Sequence, residues 1–238
     1  MKAEFSRTAM LLGEDGIKKI ECSKIIVFGV GGVGSYAVEA LARCGFCRID
    51  IVDSDTVSLT NINRQLIALH STVGQSKVQV TKNRILDISP ETSVDTFDFF
   101  YSEDTKERID LSEYDYIVDA IDSMESKILL IKEAKRCNVP IISSLSTGNK
   151  LDITKFSVSD IYSTSVCPIA KIIRKKLRAE GIDSLKVIYS TELPITPDSS
   201  FVVDGGKRTV GSISFVPPAV GLMLASEVVH DIVLLEKK

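Results

Sequence analysis

A short apolar run that ends in glycines constrains this chain more than any other feature. Lys24-Ile-Ile-Val-Phe28 is rich in β-branched residues and lacks polar alternation, the pattern of a strand buried on both faces of a parallel sheet. Gly29-Val-Gly31-Gly32-Val-Gly34 follows at once, and Ser35 to Arg43 then carries small and apolar residues at helical spacing. Glycines let such a loop turn tightly and let backbone N–H groups approach a phosphate, with the next helix N-terminus facing its charge. A second apolar run, Arg48 to Val52, ends in Asp53, about twenty residues past the glycines, where a ribose-binding acid belongs. The stretch predicts a nucleotide site. With it comes an α/β fold: a Rossmann-like, doubly wound, mainly parallel sheet with a C-terminal extension of mixed strands and helices.

The glycines and the acid suit NAD as well as ATP. What separates the two is the polar run after Asp53, which holds Asp55 and then Asn61-Ile-Asn63-Arg64-Gln65. A plain dinucleotide fold needs no such cluster. Arginine offers a planar fork of donors to phosphate oxygens, and the amides can fix hydroxyls, phosphates or metal-bound water. Any one of these residues alone reads as a turn-capping side chain on a solvated loop. Together, beside a glycine loop, they point to phosphate chemistry.

These residues resemble a known family. Gly-x-Gly-Gly-x-Gly, then Asp-x-Asp, then Asn-x-Asn-Arg-Gln is similar to the adenylating domain of the ubiquitin-activating-enzyme-like superfamily, the ThiF/MoeB/HesA group. Its members use ATP to activate a carboxylate as an acyl-adenylate. The resemblance implies ATP and Mg²⁺ as cofactors. It implies Gly29, Gly31, Gly32, Gly34, Asp53, Asp55, Arg64, Gln65 and Lys77 as the nucleotide site.

Composition sets the outer bounds. A chain of 238 residues can bury a sizeable core as one large α/β domain or two small ones. No long linker and no internal repeat divides it, so a single domain over 1–238 is expected, with a nucleotide-binding core over 1–150 and a substrate-side extension over 151–238. The net charge of −3 gives no global reason to expect nucleic acid, though a local patch would suffice. Five scattered cysteines suit a reducing cytoplasm, and Cys44-Gly-Phe-Cys47 lacks the second pair that a structural zinc site wants. The most apolar stretch, 213–235, is interrupted by Pro217, Pro218, Glu227, His230 and Asp231, so no membrane span is expected.

Elsewhere each candidate carries two readings. Residues 5–20 read as one or two short helices, and Arg7 ahead of them reads as a surface charge. Lys77 falls in the first turn of a helix that Ser89-Pro90 end, against the helix dipole, so it is either a surface lysine or an anion ligand. Tyr114 to Asp122 is a buried strand whose carboxyl end holds Asp119 and Asp122. Ligands in such sheets bind beyond those ends, so Asp122 faces the same crevice as Gly31 and Asp53 and can hold Mg²⁺, or it caps the next helix. Asp119 reads as structural. The resemblance matches Lys77 to a phosphate lysine, Asp122 to a magnesium aspartate, and Arg7 to an arginine that reaches the nucleotide of a second subunit, which implies a homodimer.

The second half opens a helix at Cys167-Pro168, with Pro at its first position and Cys167 read as an inert small residue. Lys171, Arg174, Lys175 and Arg178 share one face of it, with Ile169, Ile172, Ile173 and Leu177 opposite. That face is a solvated surface or a nucleic-acid contact. Residues 191–209 read as a mobile loop, Ser212 to Val216 as a strand, and Pro218 to Leu235 as a closing helix. Three phrases here resemble the tRNA threonylcarbamoyladenosine dehydratases, the bacterial CsdL/TcdA group: Ser165 to Lys171, Leu185 to Ser190, and Gly206 to Pro217. The resemblance implies ATP-dependent cyclisation of the modified adenosine beside the anticodon through carboxylate adenylation, in the cytoplasm. The implied catalytic set is Arg7, Asn61, Asn63, Arg64, Lys77 and Asp122. The partners are tRNA, held by the basic helix, and a cysteine-desulfurase or sulfur-acceptor protein. The alternatives are adenylation of the C-terminus of a ubiquitin-like sulfur carrier, an NAD-dependent oxidoreductase, and a nucleotide-sensing scaffold.

Overall fold

The computed structural model describes residues 3–198 and 210–234. The first part of the Gly206-to-Pro217 phrase, 206–209, most of the 191–209 loop and Leu235 lie outside the described residues.

Strands β1 (Lys24–Phe28), β2 (Arg48–Val52), β3 (Thr96–Phe97), β4 (Tyr116–Asp119), β5 (Ile141–Ser144), β6 (Phe156–Asp160) and β7 (Lys186–Ser190) form one sheet in the order β3-β2-β1-β4-β5-β7-β6. Every pairing is parallel except β6 on β7. Because side chains alternate along a strand, β1 sends Ile25 and Val27 into one core and Ile26 and Phe28 into the other. Both faces therefore need cover. Helices α1 (Ser6–Cys22), α2 (Gly34–Cys44), α3 (Lys77–Ile88) and α6 (Val216–Val233) bury the first face; α4 (Met124–Arg136) and α5 (Pro168–Ala179) bury the second.

Helix boundaries follow local chemistry. Gly13 (φ 72°) breaks α1 into two helical pieces, and Gly45 (φ 100°) ends α2 in the left-handed region that glycine enters without a Cβ penalty. Cys44 packs beside the first core and burial pushes its thiol up, so the Cys-x-x-Cys pair is half-buried packing. Helix α6 is long and apolar enough to span a membrane by length and composition, but half of that window is buried in the protein, against α2, α1 and the sheet.

Four expectations need correction. Alternation over Ile153 to Ser159 predicts a strand from Ile153, but Ile153–Lys155 is a 3₁₀ turn and the strand begins at Phe156. Ser212 to Ile213 is an irregular segment, and a turn leads into α6 at Val216. The Asn63 amide nitrogen holds the Ser212 carbonyl, and Asn149 holds both backbone groups of Gly211 just before it; these contacts take the place of a strand ladder. Ile172 is exposed, not part of the apolar side of α5. Arg174 leaves the basic face: its guanidinium is spent on the Ile161 and Thr164 carbonyls and the Thr164 hydroxyl.

Candidate active site

The parallel strands β1, β2, β4 and β5 end their carboxyl termini around one cavity of about 330 Å³. It lies where a doubly wound sheet binds its ligand, at the point where the chain turns from β1–β2–β3 to β4 on the opposite side.

The glycine loop forms one wall, and steric contact explains its glycines. A Cβ on Gly34 would stand 1.8 Å from the Gly29 carbonyl oxygen, and one on Gly29 would stand 2.7 Å from that of Ala120. Gly29 also adopts φ 84°. At Gly31 a Cβ would meet only the Gln65 amide, 3.6 Å away, so that glycine leaves its space to the cavity. Asp53 braces the loop: one carboxylate oxygen accepts the Val30 N–H at 2.8 Å and the other accepts that of Asp55 at 2.9 Å. Burial pushes the Asp53 carboxyl up, and Lys77 with the two amides offsets part of the rise. Each oxygen retains a lone pair for a further donor such as a ribose hydroxyl.

The polar cluster forms the next wall. Lys77 is buried, and its ammonium lies 2.7 Å from the largely exposed Asp55 carboxylate. Asn61 is spent locally, its Oδ1 accepting the Ser58 N–H and closing a capping box. Asn63 bridges two segments. Its amide nitrogen donates to the Ser212 carbonyl at 3.0 Å, and its oxygen accepts from the Arg64 guanidinium at 2.9 Å. Gln65 is buried against the cavity with its Oε1 lacking a hydrogen-bond partner among the described residues, an acceptor open to a donor.

The two aspartates after β4 separate cleanly. Asp119 is buried and ion-paired to Lys127 at 2.6 Å. Asp122 is exposed and lines the cavity. Ser123, not Asp122, caps α4, accepting from the Ser126 N–H. Asp122 is thereby left to the cavity.

Gly29, Gly31, Gly32, Asp53, Asp55, Asn61, Arg64, Gln65, Lys77 and Asp122 thus line one cavity, with Asn63 and Gly34 shaping it from behind. Arg7 sits exposed in the first turn of α1 and is not among the lining residues. Lys171, Lys175 and Arg178 lie exposed on α5, away from that lining, and Arg178 covers the Tyr162 ring. Sequence reasoning missed Phe99, Phe100 and Tyr101, which line the cavity past β3; their signal was an aromatic triplet at a strand's carboxyl end. It also missed Ser212 and Pro217 on the far wall. Thr147 there falls in the polar loop Ser143 to Asn149, which reads from sequence as one that presents substrate without any residue of decisive chemistry.

Comparison with known proteins agrees with this geometry. The model of the ThiF family matches residues 5–237. The chain belongs to the ThiF family. It is 44% identical to the tRNA threonylcarbamoyladenosine dehydratase of Bacillus subtilis, over 98% of this chain and 95% of that protein. It is 35% identical to the enzyme of that name from Escherichia coli, over 87% and 81%. The crystal structure of the E. coli dehydratase in complex with ATP superposes with a TM-score of 0.86 at 32% identity, covering 96% of this chain and 93% of that one. In this ThiF-family chain the sheet order and the cavity belong to one α/β adenylating fold.

Proposed function

We propose that this chain cyclises N6-threonylcarbamoyladenosine in tRNA, beside the anticodon, in an ATP-dependent dehydration that proceeds through carboxylate adenylation. The observation that carries this reading is end-to-end likeness to dehydratases, extending to 95% of the B. subtilis protein's own length. The likeness includes the far-wall segments that a shared nucleotide core would not require.

The threonyl carboxylate attacks the α-phosphorus of ATP, and pyrophosphate leaves. The neighbouring carbamoyl group then closes on the acyl-adenylate, and AMP leaves. One water is lost from the nucleoside, its oxygen carried off in AMP. Such chemistry asks mainly for positioning and charge neutralisation, which suits a site of arginine, lysine and amides. Asp53 would hold the ribose while Arg64 and Lys77 neutralise phosphates. Asn61 and Asn63 would orient the reacting phosphate, Asn61 by shaping the turn and Asn63 through Arg64. Gln65 offers its unpartnered oxygen to a nucleotide donor.

Asp122 fits Mg²⁺ as an exposed carboxylate at the cavity, with Asp55 turned to Lys77, since that ion takes one or two carboxylates and completes its shell with phosphates and water. Bound there, it would neutralise triphosphate charge. Arg7 would come from the second subunit of a homodimer. Lys171, Lys175 and Arg178 would contact tRNA phosphates, while Arg174 serves them by holding the Ile161–Thr164 turn. We treat 1–238 as one functional unit, with 1–150 binding nucleotide and 151–238 supplying the substrate side. We assign the protein to the cytoplasm, where tRNA is the substrate. The reaction balances without sulfur, so a cysteine-desulfurase partner would serve a different step.

Mass spectrometry of nucleosides from threonylcarbamoyl-adenosine tRNA, incubated with the protein and Mg-ATP, tests the reading. The expected result is a loss of one water that requires ATP and disappears in Asp122→Ala. No mass change with wild-type protein would sink it and make carrier-protein adenylation the leading reading.

A further inference from the structure

The cavity's far wall is held by a residue that does not line it. Asn149 follows β5 in the left-handed region (φ 56°), a conformation that asparagine enters more readily than most side chains. From there it binds two distant segments. Its backbone N–H donates to the Gly211 carbonyl at 2.8 Å, and its side-chain Oδ1 accepts the Gly211 N–H at 2.7 Å. Its own carbonyl accepts from Ile195 at 2.8 Å. Gly148 beside it makes room, because a Cβ there would stand 2.1 Å from a Val210 methyl.

The next residue, Ser212, lines the cavity, and its carbonyl accepts from Asn63. The strap 210–212 is therefore gripped on one side by Asn149 and on the other by Asn63, which also holds Arg64. Thr147, just before Gly148, lines the cavity with Ser212. Asp53 stands at the end of β2 and Thr147 past the end of β5, three strand spacings apart, or roughly 14 Å. With the ribose at Asp53, the Thr147–Ser212 wall lies at the opposite end from the nucleoside.

We propose that Asn149 is a positioning residue for the acyl substrate: through Gly211 it seats Ser212 in the wall that receives the carboxylate-bearing half of the modified nucleoside. The proposal rests on the dehydratase reading for the identity of that substrate. The clamp itself does not. Asn149 touches none of the phosphate residues directly. Asn63 holds Arg64 through its amide oxygen while only its amide nitrogen meets Ser212, so removing the Asn149 side chain loosens the acyl wall far more than the phosphate side.

Asn149→Gly tests this cleanly, because glycine keeps the left-handed backbone and deletes only the side chain. Asn149→Asp keeps an oxygen that accepts from Gly211. Three quantities are measured on wild type and both variants: ATP affinity by calorimetry, kcat/KM for the modified tRNA, and amide hydrogen exchange at Gly211. In Asn149→Gly we expect kcat/KM for tRNA to fall roughly tenfold, the size of one lost hydrogen bond. ATP affinity stays within about twofold and Gly211 exchange speeds up, and Asn149→Asp recovers most of the tRNA term. An unchanged tRNA kcat/KM in Asn149→Gly, or a parallel loss of ATP affinity, overturns the positioning role. Wild-type protein that fails to dehydrate overturns the parent reading instead. The exchange arm still decides the clamp in that case, since faster exchange supports it and unchanged exchange at Gly211 overturns it.

Discussion

Two aspartates three residues apart stand in opposite surroundings, one buried in an ion pair and one exposed at the cavity. Asp119 ends β4 inside the protein and neutralises Lys127, with both side chains almost wholly buried. Asp119→Ala strands a buried lysine charge, so we expect a loss of about 3–5 kcal/mol in urea unfolding. Asp122→Ala removes an exposed carboxylate with no structural duty, and the same unfolding curve should move by less than about 0.5 kcal/mol while turnover disappears. Equal destabilisation by the two changes would end this division of labour. The places of Asp53 and Asp122 at the cavity were legible in the sequence because each follows the carboxyl end of a parallel strand, whereas Lys77 reads evenly as a surface lysine or an anion ligand until the family resemblance is weighed. Phe100 and Ser212 were not legible, and Asn149 was legible only as the end of a polar loop after a strand, because each matters through a neighbour far away in the chain. A residue's local pattern carries no record of that neighbour.

At the scale of elements, the crossing of α2 and α6 supports the glycine loop from below. A Cβ on Gly221 would stand 2.3 Å from the Val33 carbonyl oxygen and 2.9 Å from the Tyr36 Cβ. Backbone cannot yield as a side-chain tip can, so Gly221→Ala should cost about 1–3 kcal/mol by overpacking. It should also weaken ATP binding, because the displaced residues start α2. Calorimetry on the folded variant checks the second point. Helices α2 and α3 are joined by Glu39, which accepts from Arg84 at 2.6 Å and from Arg43 at 2.8 Å. Burial works to raise this carboxyl, but the Arg84 and Arg43 hydrogen bonds outweigh it and hold the group below its ordinary value. A lowered folded-state value means stability that is present above the unfolded value of about 4.3 and is lost as pH falls through the folded one. Glu39→Gln should therefore unfold with a flatter acid limb below about pH 5, the difference being at most about 1 kcal/mol for this partly exposed pair. Parallel acid limbs would count against it. Strand and helix order was readable from apolar periodicity, whereas the 212–216 strand was misread. That segment alternates like a strand, but its Ser212 carbonyl accepts from the Asn63 side chain and the preceding Gly211 is bound to Asn149.

For the whole molecule, the open question is how many chains make one site. Arg7 stands outside its own chain's cavity, and Met10 and Leu11 beside it expose most of their apolar surface. If a second copy supplies Arg7, two inactive variants should repair each other. Mixing Arg7→Ala with Asp122→Ala after subunit exchange leaves mixed dimers with one intact site each, and random pairing returns roughly a quarter of wild-type turnover. A mixture as inactive as its components would mean that Arg7 acts within its own chain or not at all.

Helix α6 carries a further consequence, for synthesis. It packs on α2, and its Pro217 stands 3.1 Å from where a Cβ on Gly32 would be, so the phosphate loop is walled by residues made much later. A ribosome adding about 5–20 residues per second would take on the order of ten to forty seconds to pass from that loop to that helix. Through that interval the apolar face of α2 has no lid. The nascent chain thus gains its nucleotide site late, and a ribosome stalled before α6 releases a protein with the loop's sequence but without its wall.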